Sequence, residues 1–458
     1  MANDTPLGAS PSESPVSGGI LRRAVANTGI LLSGKACAAV MQLATFALAA
    51  RGLGIEDFGY FSMLVAQVLL ITGVAAFESN QAVVRFGVDH LATGNAPGFQ
   101  ALIKAGTLLD IGAAAVATAA AVLLPPVLGP YVGWDERIIW NAQLIAPLAF
   151  ANAIATPRGM LRLFGRFDLL AIQAVVTPAA RLVGFTVAWL LDAGLTVYLL
   201  LWLVAGWIGA LAAFWLSWRE AGRRTLLHGM TRSFRQLSAE NVGVWQFTLY
   251  TNLNSSVALI PTQGATYIVG ALMGPQAAGL FKIARELGAG MARPIELISH
   301  ALFPDIARLV RGREWRRLVR TVVRAGMIAG GTGLAITIVA ALVGKQLIDW
   351  LFGAEFEAAG PMLVIISLAM SLRVFAFAAD PILYALHKPQ VALVIAVGAC
   401  LIYLGSLLAW VDQGPVAAGY AFVVMNVTAA AASAFAAFLF IRRAASTTSH
   451  EKGVAGRS

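Results

Sequence analysis

Long apolar segments recur along the whole chain and limit what it can fold into. A hydrocarbon core of about 30 Å is crossed by a helix of roughly 20 apolar residues. Along 458 residues we find twelve such segments, at 28–50, 60–79, 102–124, 138–156, 169–191, 195–217, 244–272, 279–302, 325–343, 362–386, 390–411 and 415–441. The sequence therefore predicts an all-α membrane protein with about twelve transmembrane helices.

Composition supports this class and excludes others. Only 12% of the residues are charged and 59% are hydrophobic, which excludes a soluble enzyme and a disordered chain. Two cysteines, Cys37 and Cys400, lie in apolar segments and form no disulfide or metal-ligand pattern. The sequence also lacks the phosphate-binding loop of an ATPase. We predict neither a metal nor a cofactor.

The basic residues set the expected orientation. With the N-terminus in the cytoplasm, 25 of the 33 Lys and Arg residues lie on the cytoplasmic side, three lie outside and five lie within spans. Cytoplasmic loops of membrane proteins collect Lys and Arg. Both termini are thus predicted to be cytoplasmic, and the net charge of +10 does not indicate nucleic-acid binding.

The chain is predicted to consist of two similar halves. We expect a disordered cytoplasmic leader at 1–19, a six-helix lobe at 20–217, a cytoplasmic linker at 218–243, a second six-helix lobe at 244–441 and a cytoplasmic tail at 442–458. The pattern G-x4-G-x-F occurs at 54–61 and again 220 residues later, at 274–281. We interpret each copy as a tight outer turn whose Phe anchors at the membrane interface. Six helices per half predict pseudo-two-fold symmetry along the membrane normal.

Residues around these turns carry a family resemblance. LAARGLGIEDFGYFSMLVAQVLL in the first half and GALMGPQAAGLFKIARELG in the second resemble Wzx-type polysaccharide flippases of the multidrug/oligosaccharidyl-lipid/polysaccharide (MOP) exporter superfamily. The resemblance implies a V-shaped pair of lobes in a bacterial inner membrane that alternates between inward-open and outward-open states. The implied cargo is an undecaprenyl-pyrophosphate-linked oligosaccharide, and a polysaccharide polymerase with its chain-length machinery are candidate partners.

Span eight carries the densest group of charges inside the predicted membrane region. Lys282, Arg285, Glu286, Arg293 and Glu296 fall on one helical stripe. An ionisable residue at this depth is a candidate functional residue, and Arg suits phosphate because its planar group binds two oxygens. We therefore predict a cationic, cargo-binding wall. The alternative is internal pairing of Lys282 with Glu286 and of Arg293 with Glu296.

Other polar residues in the spans are weaker candidates. Arg373 and Asp380 lie seven residues apart in span ten and either pair with each other or contact the cargo. Arg181 in span five is either a cargo ligand or a contact between the lobes. Asp110 in span three is a candidate for coupling transport to a proton or sodium ion.

Amide and hydroxyl side chains occur in the first helix of each half. Gln42 in span one, and Asn252 and Ser255 in span seven, are suitable donors and acceptors for sugar hydroxyls. The alternative role for them is hydrogen bonding between helices.

The basic segment 308–324 combines seven arginines with an apolar stripe. This pattern predicts an amphipathic helix that lies on the membrane surface and binds anionic lipids.

Three functions are consistent with these features. A lipid-linked oligosaccharide flippase, which is not an enzyme, agrees best with the positive charge in span eight. A multidrug or cation antiporter of the same superfamily would instead require a net acidic pocket. A membrane polysaccharide polymerase or ligase is disfavoured because the predicted outer loops are short and contain no histidine.

Overall fold

Helices are the regular elements throughout the described chain. The structure, a computed structural model, describes residues 15–224, 226–227, 241, 243–386 and 388–455; the side chains of 15–28, 30, 247, 250–251, 253–254, 258, 291–305, 307, 389 and 444–455 are not described. The helices are α1 (Pro15–Ala75), α2 (Ser79–Ala92), α3 (Ala96–Leu128), α4 (Glu136–Ile145), α5 (Leu148–Ala153), α6 (Thr156–Leu163), α7 (Phe167–Leu190), α8 (Leu195–Arg223), α9 (Val244–Leu259), α10 (Ala265–Met273), α11 (Pro275–Arg311), α12 (Trp315–Phe352), α13 (Ala359–Phe375), α14 (Ala379–Ala385), α15 (Pro389–Ala409) and α16 (Val416–Ala455). A π-helical turn, Ile260–Gly264, joins α9 to α10.

The helices account for the predicted number of membrane crossings. Among the described residues, ten segments are long and apolar enough to cross a bilayer, and the first of them, Leu31–Ala92, has 62 residues. A straight helix of that length would extend about 90 Å, but the chain turns back at Gly54, where φ is 70° and ψ is 176°. One further helix, α11, has 37 residues but carries several charges. With the first segment counted as two crossings and α11 added, the ten segments give the predicted twelve. The predicted all-α membrane class is confirmed.

The two glycine turns have the same backbone conformation and meet each other. Gly274 has φ 88° and ψ 168°, close to the values at Gly54. A Cβ atom placed on Gly59 would lie 2.0 Å from the carbonyl oxygen of Pro275, so the two turns touch through their backbones. The two copies of the repeat thus form a backbone contact between the halves. Phe61, predicted at the membrane interface, is instead fully buried in the core, as is Phe281. The Phe61 ring packs on Phe185 and Trp202 of its own lobe, and the Phe281 ring packs on Phe422.

Both halves share one hydrophobic core at the end that contains these turns. This outer core combines first-lobe residues with second-lobe residues, among them Phe46, Phe58, Phe61, Phe185, Trp202, Phe281, Phe352, Phe356 and Phe422. At the opposite end, predicted to be cytoplasmic, the apolar residues separate into two inner cores. The first-lobe inner core includes Val83, Phe99, Met160, Phe164 and Val244, and the second-lobe inner core includes Ile306, Leu318, Ile382 and Ala437.

Two crossings of the first lobe are broken at the same level. The second crossing is interrupted between Ala75 and Ser79, where α1 ends and α2 begins. The fourth, predicted as one helix over 138–156, consists of the three short helices α4, α5 and α6, with the last break between Ala153 and Thr156. The inner parts α2 and α6 therefore lie beyond these breaks.

Residues 308–324 do not form one helix. Instead, α11 ends at Arg311, the chain reverses through Arg313 at φ 53°, and α12 begins at Trp315. The apolar residues of the segment pack on the second-lobe inner core, namely Leu309, Val310, Trp315, Leu318 and Val322. The predicted surface-lying helix is therefore wrong, because the segment is the tip of two long crossings. Its arginines are exposed, and we call 308–324 the arginine turn.

The division into leader, lobes, linker and tail stays a prediction. Residues 1–14 of the leader and most of the linker, including 228–240, lie outside the described residues. In the described part, α8 continues to Arg223 and α9 starts at Val244.

Candidate functional site

Three of the charged residues predicted on one stripe of α11 meet at one place. Lys282 Nζ lies 2.9 Å from Glu286 Oε1, and Arg285 Nη2 lies 3.5 Å from the same oxygen. Lys282 is 5% exposed and Arg285 8% exposed, so both are held inside the protein. The side chains of Arg293 and Glu296 lie outside the described residues, and their part of the stripe stays a prediction.

The first lobe adds a third cation to this group. Arg181 on α7 donates from Nη1 to Gln42 Oε1 on α1, at 3.4 Å, and its guanidinium stacks over the Trp202 ring, 3.4 Å from the centroid. The Trp202 ring stacks in turn on the Phe46 ring, with centroids 5.7 Å apart, and Lys282 Nζ lies 4.9 Å from the Phe46 centroid. Two further predicted residues, Arg181 and Gln42, are therefore brought to the same place as the α11 residues. We call Arg181, Lys282, Arg285 and Glu286 the apical cluster.

The apical cluster lies against the outer core. Lys282 Nζ is 4.9 Å from the centroid of Phe46, a first-lobe residue of the outer core. Trp202, which stacks on Arg181, belongs to the same core. Aromatic residues thus cover one side of the cluster, and both lobes contribute cations to it.

The charges and donors of the apical cluster favour an anion. Among the described residues it contains three cations and one carboxylate, Glu286. The Nε atoms of Arg181 and Arg285 are buried without a hydrogen-bond partner. A guanidinium presents up to five N–H donors in one plane, a geometry suited to carboxylate and phosphate oxygens. Two such groups with unused donors can bind a multiply charged oxyanion.

The predicted pair in span ten contacts other residues. Arg373 Nη1 donates to Asn426 Oδ1 at 3.4 Å, while Asp380 Oδ1 accepts from Ser433 Oγ at 2.9 Å. Both partners lie on α16. The break between α13 and α14 separates Arg373 from Asp380, which interrupts the helical register that would have placed them on one face. A role for either residue in cargo binding stays a prediction.

Span seven places its polar side chains beside the first lobe. Ser256 Oγ donates to the Gly73 carbonyl oxygen at 3.3 Å. Asn252 is half-buried, and its Oδ1 has no hydrogen-bond partner, while Ser255 is also half-buried. A lining role for Asn252 and Ser255 stays a prediction, with Asn252 offering an unused acceptor.

Asp110 is held by hydrogen bonds at the level of the two helix breaks. Its Oδ1 accepts from Ser79 Oγ at 2.6 Å, and its Oδ2 accepts from the backbone N–H groups of Ala155 (2.9 Å) and Thr156 (2.7 Å). The carboxylate is fully buried and satisfies the first N–H groups of α6, which lack partners within the helix. This geometry favours a structural role, and ion coupling through Asp110 stays a prediction.

Two aromatic residues of the site were not anticipated. Phe46 and Trp202 provide ring faces for Lys282 and Arg181, respectively. In an apolar span an aromatic residue looks like ordinary core, so the sequence carries no signal for this role. Only the packing of α1 and α8 against the two cations reveals it.

Comparison with known proteins identifies the family. The polysaccharide biosynthesis protein family matches residues 24–310. The inner membrane protein YghQ of Escherichia coli (strain K12) is 30% identical over 340 residues, which are 74% of this chain and 95% of that protein.

Two solved structures share the fold. An inward-facing multidrug resistance MATE family transporter of the MOP superfamily superimposes with a TM-score of 0.69, at 14% identity, over 91% of this chain and 95% of that one. The lipid II flippase MurJ, in an inward closed conformation, gives 0.68 at 10% identity, over 92% and 90%. The family match spans more than half of the sequence, and the likeness in fold extends over 91–92% of it. The chain therefore belongs to the polysaccharide biosynthesis protein family.

Proposed function

We propose that the chain flips an undecaprenyl-pyrophosphate-linked oligosaccharide from the cytoplasmic to the periplasmic leaflet of a bacterial inner membrane. The transport would proceed by alternating access of the two lobes, with both termini in the cytoplasm. No covalent chemistry is required, so the protein acts as a transporter and not as an enzyme.

The observation that carries this proposal is the apical cluster. Its three cations come from both lobes, and its one described carboxylate contacts Lys282 and Arg285, so the group attracts an anion that can reach both walls. A diphosphate offers several charged oxygens, and Arg181 and Arg285 have unused N–H donors for them. A charged residue inside a membrane protein is costly unless it is paired or functional.

The arrangement of cores supports entry from the cytoplasmic leaflet. The lobes are joined at the outer core and have separate inner cores, so we infer that a cleft between them would open toward the side predicted to carry most of the basic residues. The diphosphate would enter this cleft and stop at the apical cluster. The sugars would contact amide side chains such as Gln42 and Asn252, and the polyprenyl chain would remain in lipid.

A flipping assay tests the proposal. The purified chain is reconstituted in vesicles with a fluorescent undecaprenyl-pyrophosphate-linked oligosaccharide, and translocation is followed with a membrane-impermeant glycosidase. Arg181→Gln and Lys282→Met should each slow flipping about tenfold or more, because each removes a charge-assisted contact of about 1.5–3 kcal/mol.

A matched control distinguishes the cluster from general charge effects. Lys345 is an exposed outer residue whose Nζ lies 2.7 Å from Glu357 Oε2. Lys345→Gln removes one positive charge that is not part of the apical cluster and should leave flipping unchanged. Wild-type rates in both Arg181→Gln and Lys282→Met would contradict the proposed cargo site.

A multidrug or cation antiporter remains the second candidate, because the fold is shared with a multidrug resistance transporter. In that case the cargo cation would bind Glu286, the only carboxylate of the described apical cluster. Export of a cationic dye from loaded vesicles, abolished by Glu286→Gln, would support this function against the flippase. We expect no such export.

Further partners are proposed from the exposed charges and the family. The arginine turn would bind anionic lipid headgroups, with its arginine side chains directed to the membrane surface and its apolar residues kept in the second-lobe inner core. A polysaccharide polymerase and its chain-length machinery would receive the flipped unit.

A further inference from the structure

The three basic residues predicted on the outer face have different partners. Arg137 pairs with Asp57 at 3.1 Å, and both belong to the first lobe. Lys345 pairs with Glu357, and both belong to the second lobe. Arg51, at the outer end of a first-lobe crossing, contacts the second lobe instead. Among these three residues, Arg51 is therefore the one that joins the lobes.

Arg51 binds the end of a helix in the opposite lobe. Its Nε donates to the Leu351 carbonyl oxygen at 3.0 Å, and its Nη2 donates to that of Trp350. These carbonyls belong to the last turn of α12, which carries the negative end of the helix dipole and lacks partners within the helix. A guanidinium complements both the charge and the unused acceptors.

A second polar contact between the lobes lies beside it. The backbone N–H of Ile55, just after the Gly54 turn, donates to Glu355 Oε2 at 3.1 Å. In both contacts the first lobe supplies donors and the second lobe supplies acceptors. We call Arg51, Ile55, the Trp350 and Leu351 carbonyls and Glu355 the outer gate.

The outer gate covers an aromatic seal. Phe58 of the first lobe and Phe356 of the second are buried, with ring centroids 5.5 Å apart. Arg51 and Glu355 are themselves exposed. Water can therefore replace their hydrogen bonds at little cost, whereas separating the rings exposes apolar surface. Such a combination closes the outer end and can still be opened.

We propose that Arg51 is a gate residue that holds the outer end closed and must release α12 before the protein opens outward. The use of this gate in transport rests on the proposed flippase function, but the closure itself does not. Because Arg51 contacts backbone carbonyls, its release leaves the second lobe intact. Arg51 thus acts on the balance between inward-open and outward-open states and has no role in binding cargo.

The pseudo-symmetry of the lobes shows that the outer gate is one-sided. The position 220 residues after Arg51 is Ala271, which has no side-chain donor. The lobes also make a second aromatic contact, between Trp134 of the first lobe and Tyr267 of the second, with ring centroids 6.1 Å apart. The polar contact is therefore a feature of one half of the repeat. Its loss should favour opening while the aromatic contacts of the closed state stay intact.

Spin-label distances across the outer face test this proposal without cargo. In a full-length chain with Cys37→Ser and Cys400→Ala, labels at Tyr131→Cys of the first lobe and Asp412→Cys of the second report the separation of the outer loops. Arg51→Met should raise the ratio of the longer to the shorter distance about tenfold relative to the parent, the effect of losing about 1.4 kcal/mol of closure. Glu355→Gln keeps an acceptor for Ile55 and should shift the ratio less.

The control is Arg137→Met, which removes an outer arginine that pairs only within the first lobe, and it should leave the distances unchanged. An unaltered distribution in Arg51→Met, or an equal shift in Arg137→Met, would overturn the gate assignment. If Arg51→Met shifts the distances while the parent fails to flip the lipid-linked oligosaccharide, the gate stands and the proposed cargo is wrong.

Discussion

The outer and inner ends of the molecule are held together in different ways. At the outer end, both lobes contribute to one core, the two glycine turns touch through their backbones, and Arg51 binds α12 across the boundary. At the inner end each lobe has its own core, and a described contact there joins His90 of the first lobe to Asn241 of the linker, 3.0 Å apart. Most of the described contacts that hold the lobes together are therefore at the outer end. The inner ends of the lobes can separate without unfolding either lobe.

The largest loss of stability is expected from a change at Asp110, at the helix breaks between the outer core and the first-lobe inner core. Asp110→Ala removes three acceptor contacts and leaves the N–H groups of Ala155 and Thr156 buried without partners. The free energy of unfolding should fall by about 3 kcal/mol. Hydrogen exchange should rise in α2 and α6, while the outer core stays protected.

A second aspartate provides the matched control for this loss. Asp135 accepts from the Ile138 N–H at 2.8 Å at the exposed start of α4, and Asp135→Ala should cost about 1 kcal/mol. If Asp110→Asn instead keeps stability and exchange unchanged but removes a pH or sodium dependence of flipping, Asp110 couples ions and the structural role is wrong.

The next effect concerns the backbone contact at the outer end. Gly59→Ala would place a methyl group 2.0 Å from the Pro275 carbonyl oxygen, a clash that side-chain rotation cannot relieve. We expect a loss of about 2 kcal/mol and a longer spin-label separation of the outer loops. Gly112→Ala on α3, where nothing lies within 4 Å of the new atom, should change neither quantity. Equal behaviour of the two variants would show that the turns are not in contact.

The smallest effect is expected at the apical cluster, between the two ends. Glu286→Gln removes the carboxylate shared by Lys282 and Arg285, but the Glu286 side chain is 20% exposed, so part of the loss is compensated by water. The melting temperature should fall by an amount that corresponds to about 1 kcal/mol. Glu357→Gln, at the more exposed pair with Lys345, should have no measurable effect. If Glu357→Gln lowered the melting temperature more than Glu286→Gln does, the expected order of the two ion pairs would be wrong.

Much of the fold could be predicted because its causes are local in sequence. Apolar runs of helix length predicted the membrane crossings, and the spacing of Lys282, Arg285 and Glu286 predicted that they share one face of α11. The paired glycines marked the two outer turns. Each of these inferences requires only a helical period or a composition difference.

The remaining features depend on contacts between distant segments. Asp110 looked like an isolated charge because its donors come from the breaks in two other crossings. The arginine turn looked like a surface helix because the second-lobe inner core that buries its apolar residues is assembled from α11, α12, α14 and α16. Arg51 gave no signal beyond its place at the outer face, since its acceptors are backbone carbonyls 299 and 300 residues away.

The presence of Val244 in the first-lobe inner core has a consequence for biosynthesis. The first six crossings are made before the linker, yet their inner core also contains this first residue of α9. A nascent chain that has inserted only these crossings therefore exposes an incomplete apolar surface near Val83 and Leu102. Completion of the first lobe must wait until α9 has been synthesised, which links the assembly of the two halves in time. Expressed as separate halves, the protein should require both to be present for the first one to mature.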